Sequence, residues 1–383
     1  MYKGDLGLLR DHNRALVINI LRETGPMSRT QLSLLTGLAP STLTRLIKDL
    51  LQEGVVQEIG KSQSNGGRCP VLVAFNPSYA FAIGIKVERQ MILAAKVDLA
   101  GKIQDKVSVS LSTPPHPCDV MDQVEKVARS LGTERTLGIG LAISGFVDAK
   151  RGIDLYSPIL GWRDVPLSEP LSKRLDLPVW VENDVNALTL AERWYGAGRQ
   201  FKNFLCITVG EGIGAGIVID GELYRGAFGG AGEVGHITVD PDGPRCRCGE
   251  RGCLEVFASD LFLHAEAERL GFSSIEELAQ AARNGDKEAA ETFRRMGRAL
   301  GIGVKNVVNL LNPEAIVLGG ERMFDSDLFM STFEEEVRHH AFPKEAEELR
   351  IVSAELGPDG FLVGAATLAI REFFRLPLLE VAQ

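Results

Sequence analysis

Residues 232–255 read GEVGHITVDPDGPRCRCGERGCLE and place three of the chain's six cysteines within eight positions. His236 lies upstream, giving the spacing His236-x9-Cys246-x-Cys248-x4-Cys253. One imidazole and three thiolates suit a closed, tetrahedral structural zinc site. A redox pair or reduced loop thiols are the alternatives. A disulfide would leave an odd cysteine among the three, and neither alternative calls for the histidine. The compartment bears on the choice. The start, MYKGDLGLLRDHNR, interrupts its apolar residues with charges and does not read as a signal peptide. No apolar run approaches the roughly 20 residues of a membrane span. The expectation is a cytoplasmic protein with no membrane partner, where clustered cysteines hold metal more often than disulfides.

On both sides of this stretch the sequence alternates strand-like and helix-like runs. TLGIGLAI, PVWVEN, FLCITVGEGIGAGIVIDGEL and AIVLGG read as strands, and FAIGIKVERQMILAAKVDLAGKI as a hairpin turning around LAGK. DVMDQVEKVARSLG, DVNALTLAERWYGAG and NGDKEAAETFRRMGRALGIGVKNVVNLLN read as helices. Such alternation predicts α/β architecture. GFLVGAATLAIREFF is apolar enough for a core helix or a subunit interface, and no short-period repeat is visible. The glycine turns GEGIGAG (210–216) and LGGE (318–321) suit backbone approach to a phosphate or a sugar, although tight hairpins use the same residues.

The first seventy-five residues have a different texture. Residues 1–76 hold nine Lys or Arg against six Asp or Glu, leaving −12 for the rest of a chain whose formal charge is −9. Ser28 and Gln31 have capping-box spacing, Gly37 supplies a turn, and Pro40 suits the first position of a new helix. In PSTLTRLIKDLLQEG the apolar residues Leu43, Leu46, Ile47, Leu50 and Leu51 line one face. The other face offers Ser41, Thr42, Thr44, Arg45 and Lys48. Two short helices joined in this way describe a helix-turn-helix. VVQEIG and PVLVAF add two strands around KSQSNGGRC, a wing whose Arg68 and Lys61 would meet DNA phosphate or the minor groove. Helical pairs with a hairpin also serve as protein-interaction modules, the alternative for this segment.

The run GEVGHITVDPDGPRCRCGERGCLE closely resembles the signature of the ROK family of repressors, open reading frames and sugar kinases. VENDVNALTLAERWYGAG and ITVGEGIGAGIVIDGEL resemble that family too. LTGLAPSTLTRLIKDLLQEGVV and GGRCP resemble the winged helix that its repressors carry, including those that respond to xylose, glucose or N-acetylglucosamine. The resemblance implies a winged helix-turn-helix over 1–75 and a two-lobed, actin-like (RNase H-like) ROK domain over 76–383. Lobe 1 would span about 76–195 plus a C-terminal helix 360–383, and lobe 2 about 196–359 with a zinc loop at 236–255. It implies structural zinc on His236, Cys246, Cys248 and Cys253. It also implies a sugar between the lobes, met by Gly145, Asn183, Asp184, Glu233, His236 and Glu255.

In the family's kinases the residue matching Asp184 takes the proton from the attacking sugar hydroxyl. Phosphoryl transfer also needs the nucleotide phosphates held in place. Where those kinases have an Asp-x-Gly-Gly-Thr turn, this chain has GIKVERQM, with Lys86 for the aspartate and Glu88, Arg89 and Gln90 after it. Glu211 stands where threonine is usual. The expectation is a sugar-responsive transcriptional regulator, a repressor and not an enzyme. It would bind pseudo-palindromic double-stranded operator DNA as a homodimer, or as a tetramer of two dimers. The alternative is an ATP-dependent sugar kinase that kept a DNA-binding head.

Overall fold

The computed structural model describes residues 6–61, 70–340 and 348–375. The chain opens with α1 (Leu6–Thr24), β1 (Met27–Ser28), α2 (Arg29–Thr36), α3 (Pro40–Glu53), β2 (Val56–Lys61) and β3 (Val71–Phe75). Ser28 caps α2 as its spacing predicts: Ser28 Oγ accepts from the Gln31 N–H at 3.3 Å, and Gln31 Oε1 accepts from the Ser28 N–H at 2.9 Å. Gly37 ends the helix in the left-handed region, and Pro40 opens α3. Leu43, Leu46, Ile47 and Leu50 are buried on one face of α3. The three strands form an antiparallel sheet in the order β1-β3-β2. This is a winged helix-turn-helix. The wing tip, residues 62–69 with Arg68, lies outside the described residues.

The body follows through a single 3-10 turn, Pro77–Tyr79. β4 (Phe81–Val87), β5 (Met91–Asp98) and β6 (Ile103–Ser110) form a meander, then come α4 (Pro117–Ser130) and β7 (Thr136–Ile143). A small sheet of β8 (Phe146–Asp148), β9 (Ile153–Ser157) and β10 (Trp162–Pro166) precedes α5 (Ser168–Leu175), β11 (Val179–Asn183) and α6 (Asp184–Tyr195). A second meander, β12 (Phe204–Val209), β13 (Ile213–Ile219) and β14 (Glu222–Tyr224), leads through the cysteine loop. The chain continues through α7 (Glu255–Ala258), α8 (Asp260–Leu270), α9 (Ile275–Arg283) and α10 (Lys287–Leu311). It closes with β15 (Ala315–Gly319), α11 (Ser326–His340), β16 (Arg350–Ser353) and α12 (Gly360–Phe374).

The two large sheets have one topology. Their orders are β11-β7-β4-β5-β6 and β14-β13-β12-β15-β16. In each, an antiparallel meander is extended by two strands parallel to its first. The architecture is α/β, a duplicated actin-like fold. One expectation is corrected: the LAGK turn joins β5 to β6, and a second turn at Glu88–Gln90 joins β4 to β5. That turn has no Gly, Pro or Asn to mark it, so two strands read as one. α12 lies directly against the first large sheet, because a Cβ at Gly84 or Gly140 would strike the carbonyl oxygens of Leu362 and Ala365. It is a core helix, buried almost throughout to Ile370. The stretch expected to continue it, 376–383, lies outside the described residues.

The second large sheet and its helices pack around Leu205, Ile207, Phe293, Val304, Phe329 and Phe333. A second cluster crosses from head to body: Val17, Leu21, Ile47 and Val73 pack with Val97, Ile370 and Phe374. At this seam the Arg22 guanidinium sits 4.2 Å from the Trp194 ring and 4.7 Å from that of Phe374, a cation–π geometry. Among the described residues no helix is long and apolar enough to cross a membrane.

On β9, Asp154 is fully buried and neither carboxylate oxygen has a hydrogen-bond partner. Burial pushes its carboxyl up to about 6. The Tyr156 backbone N–H opposes this without forming a regular bond, and Asp164 adds to it. The folded state therefore holds this proton more tightly than the unfolded state, so the carboxylate costs stability at neutral pH and that cost fades as pH falls from about 7 to 4. Asp154→Asn should stabilise the protein by about 1–3 kcal/mol at pH 7.5, with the gain shrinking toward pH 4. Thermal unfolding across this range checks it; a destabilised variant at pH 7.5 would show that Asp154 is paired.

Candidate functional site

A cavity of about 610 Å³ opens between the two sheets. Gly145, Asn183, Asp184, Glu233, His236 and Glu255 all line it, although they come from four separate parts of the chain. Gly145 has φ 131°, a conformation reserved for glycine, and a Cβ there would strike the Tyr156 carbonyl oxygen. Asn183 caps α6: its Oδ1 accepts from the Asn186 N–H at 3.0 Å, while its Nδ2 donates to the Gly145 carbonyl at 3.0 Å. Asp184 begins the helix and accepts from the Val185 N–H at 2.9 Å. Burial raises the Asp184 carboxyl above its ordinary range, and the Lys86 ammonium pulls it back down. Glu233 is likewise raised by burial, with His236 opposing and Asp184 and Glu255 adding to the shift.

Beneath this cleft His236, Cys246, Cys248 and Cys253 place their donor atoms within 4.8 Å of one another. Cys246 Sγ is 3.6 Å from His236 Nδ1, and Cys248 Sγ is 3.6 Å from Cys253 Sγ. A tetrahedral ion with metal–sulfur bonds of about 2.3 Å spaces its sulfurs about 3.8 Å apart, so the donors fit one metal ion. The Nδ1 edge of His236 faces the thiols, while the residue also lines the cleft.

The other end of the cleft carries charge. Lys86 Nζ is 3.0 Å from Glu88 and lies 3.9 Å over the Phe361 ring. Glu211 stands in the Gly210–Gly212 turn, and the Glu321 carboxylate lies where a Cβ on Gly210 would be. Asp260 donates its N–H to the Gly210 carbonyl at 2.8 Å. Four carboxylates, Glu88, Glu211, Asp260 and Glu321, therefore lie around the two hairpin turns that line the cleft, together with Arg89 in the first turn and with Arg322 paired to Asp260 at 3.0 Å.

In the head, Ser41, Thr44, Arg45 and Lys48 are exposed on α3 and Thr42 is half-buried. The Thr44 hydroxyl donates back to the Pro40 carbonyl at 2.7 Å. Arg10, Arg14 and Arg29 are paired with Asp49, Glu53 and Glu58. Among the described residues no ion pair engages Arg45 or Lys48, so α3 presents two cations to solvent.

Residues 82–372 match the ROK family, and residues 10–57 match the winged helix-turn-helix DNA-binding domain. The chain belongs to the ROK family. The xylose repressor of Bacillus spizizenii is 30% identical over 97% of this chain and 98% of its own length. A solved ROK family transcriptional regulator, a homologue of the E. coli MLC protein, superposes with a TM-score of 0.82 at 27% identity, covering 97% of this chain and 98% of that one. A ROK family glucokinase from Streptomyces griseus, solved with glucose and AMPPNP, reaches a TM-score of 0.67 at 32% identity, covering 76% of this chain and all of its own. Regulator and kinase share the body of this ROK protein; the regulator also spans its head.

Sequence reasoning missed Glu182. Its side chain is 2% exposed; one oxygen accepts from the Asn183 N–H (3.0 Å) and Asn186 Nδ2 (3.2 Å), the other from Arg225 Nε at 2.7 Å. It thus fixes the Asn183–Asp184 junction from below and ties β11 to the loop after β14. A charged residue closing an otherwise apolar strand, VWVE, was the available signal. Glu182→Gln should destabilise the fold by about 2–4 kcal/mol, because Arg225 loses its buried counter-charge. Denaturant unfolding measures it, and a loss under about 0.5 kcal/mol would show that water screens the pair.

Proposed function

We propose that this protein is a sugar-responsive transcriptional regulator, a repressor of carbohydrate-utilisation genes, with the effector sugar bound between the lobes. The observation that carries the reading is the charge pairing in the head. Its other described surface arginines are spent on local acids while Arg45 and Lys48 stand free on the helix that a winged helix lays in the major groove. Residues 1–75 would form the DNA-binding unit. Residues 76–383 would form the sugar-binding unit, with lobe 1 over about 76–195 plus the C-terminal helix and lobe 2 over about 196–359.

The cleft suits a sugar ring. Each hydroxyl both donates and accepts, so the Asn183 amide and the carboxylates of Asp184, Glu233 and Glu255 can satisfy several at once. Zinc on His236, Cys246, Cys248 and Cys253 would fix the loop. With Nδ1 toward the metal, His236 keeps Nε2 for a hydroxyl, so the metal orients a ligand-binding residue. Against a kinase stands the phosphate side. Like charges 4 Å apart cost about 1 kcal/mol in water and about 4 kcal/mol at intermediate dielectric, and a triphosphate would meet several carboxylates there. The protein would act in the cytoplasm as a symmetric dimer, or a pair of dimers, on a pseudo-palindromic operator. Sugar binding would respace the two heads.

Arg45→Ala should weaken binding to the gene's own upstream DNA about five- to a hundredfold, by about 1–3 kcal/mol, while sugar affinity stays unchanged. Mobility shifts at fixed salt measure it, and an unaltered DNA affinity removes Arg45 from the recognition face. Asp184→Asn should abolish sugar binding and leave DNA binding intact; ATP consumption stimulated by a sugar would instead favour the kinase. Elemental analysis should find one zinc per chain, and a metal-free preparation with the same melting temperature would contradict the site.

A further inference from the structure

Arg247 stands between two of the metal-site thiols, Cys246 and Cys248, and its side chain turns into the cleft. Its backbone is held on either side: the Cys246 N–H donates to the Glu250 carbonyl at 2.8 Å, and the Gly249 N–H donates to the Cys246 carbonyl at 3.0 Å. From this fixed root the guanidinium reaches Glu255: Nη2 donates to Oε2 at 3.1 Å, and Nε lies 2.9 Å from Oε1 as an ion pair, leaving Oε1 a buried acceptor with no hydrogen bond. Glu255 is 4% exposed, so this partly exposed arginine, at 42%, is its cationic partner. The Gly210–Gly212 turn closes over the pair: a Cβ at Gly212 would sit 3.0 Å from Glu255 Oε2 and 3.3 Å from Arg247 Nη2. Three separate pieces of chain meet at one carboxylate.

We propose that Arg247 is a positioning residue for ligand recognition. It holds Glu255 as a rigid two-oxygen acceptor for two neighbouring hydroxyls of an uncharged sugar ring. A carboxylate offers about four lone-pair sites; the guanidinium fills one on Oε2 and lies against Oε1 without a hydrogen bond to it. One site on Oε2 and the unpartnered Oε1 remain for the ligand, held at a fixed separation that suits adjacent hydroxyls. A free glutamate would have to lose its rotamer freedom when the ligand arrives; this one has lost it already. The charge of the ligand follows from the same pairing. Lys86, Arg89 and Arg247 line the cleft, and Lys86 and Arg247 already face the carboxylates of Glu88 and Glu255. Asp184, Glu211, Glu233, Asp260 and Glu321 line it as well, with Arg322 paired to Asp260 at 3.0 Å. The carboxylates outnumber the cations, so a phosphate ester would enter a surplus of negative charge, whereas a neutral diol brings hydrogen-bond donors to it.

The inference rests on the sugar reading of the cleft, and titration calorimetry separates the two. The probes are D-xylose, D-glucose, N-acetylglucosamine and glucose 6-phosphate, with monodeoxyglucoses for the hydroxyl map. Metal content per chain is measured alongside for each variant. Arg247→Ala should weaken the best-bound neutral sugar about ten- to a hundredfold with its metal retained, and Arg247→Lys should recover part of the loss, since one ammonium cannot hold both oxygens. The double variant with Glu255→Gln should bind no more weakly than Glu255→Gln alone, because the arginine acts only through that carboxylate. The penalty for deleting one of two adjacent hydroxyls should shrink in Arg247→Ala. Unchanged affinity in Arg247→Ala, additive losses in the double variant, or glucose 6-phosphate as the best ligand overturns the proposal while wild-type sugar binding stands. If Arg247→Ala loses its metal, Arg247→Lys with metal retained and full wild-type affinity overturns it as well. Wild-type protein that binds none of the four probes overturns the sugar reading itself, and this role with it.

Discussion

Glu192, near the end of α6, has no exposed surface, and its carboxylate accepts from the backbone N–H groups of Ala197 (2.8 Å), Glu355 (3.2 Å) and Leu356 (3.0 Å). At the other end, Glu182 is buried under the first turn of the same helix. A twelve-residue helix of about 18 Å is thus pinned at both ends by buried anions with matched donors. Removing such a partner costs far more than the pair contributes, so these contacts fix geometry more than they add stability. Everything of functional interest hangs on where α6 lies. Its first residues, with the Asn183 cap, form one wall of the cleft. In its last turn, Trp194 stacks on Arg22 of the head.

That placement would give the proposed regulator a mechanical route from ligand to DNA. A ligand that preferred one arrangement of the two sheets would bias a three-turn helix that abuts α1 and α12 at the seam. Little chain intervenes, because the head's core continues into the body without a flexible linker. Turning a mostly bound population into a mostly released one takes a differential affinity of up to about 5.5 kcal/mol. In the proposed dimer, several hydroxyl contacts in each subunit would be of that order.

The parts of this design that were legible in the sequence are those written in local rules. Ser28, Gln31, Gly37 and Pro40 specify the helix-turn-helix through capping and turn chemistry, which depend on neighbours in the chain. The cluster that could hold a metal was legible because four such donors need few residue types at short spacing. What stayed hidden is set by tertiary contact. The duplication of the sheets is a repeat of topology with no repeat of sequence. The turn at Glu88–Gln90 lacks the residues that mark turns, so nothing local separates β4 from β5. Asp154 sits unpaired in a small sheet whose strands are too short to show a period. Arg247 reads as one more charge in a loop, and only the fold shows that it meets a glutamate eight residues on and a glycine turn thirty-five residues back.

The central claim is that occupancy of the cleft controls the head. The most direct measurement is the fluorescence anisotropy of a labelled fragment of the gene's own upstream region, saturated with protein at fixed salt and titrated with each neutral sugar that binds the cleft. The account predicts that one sugar releases the DNA at concentrations matching its own affinity. A sugar that fills the cleft while the DNA stays bound, with unchanged affinity, would contradict it.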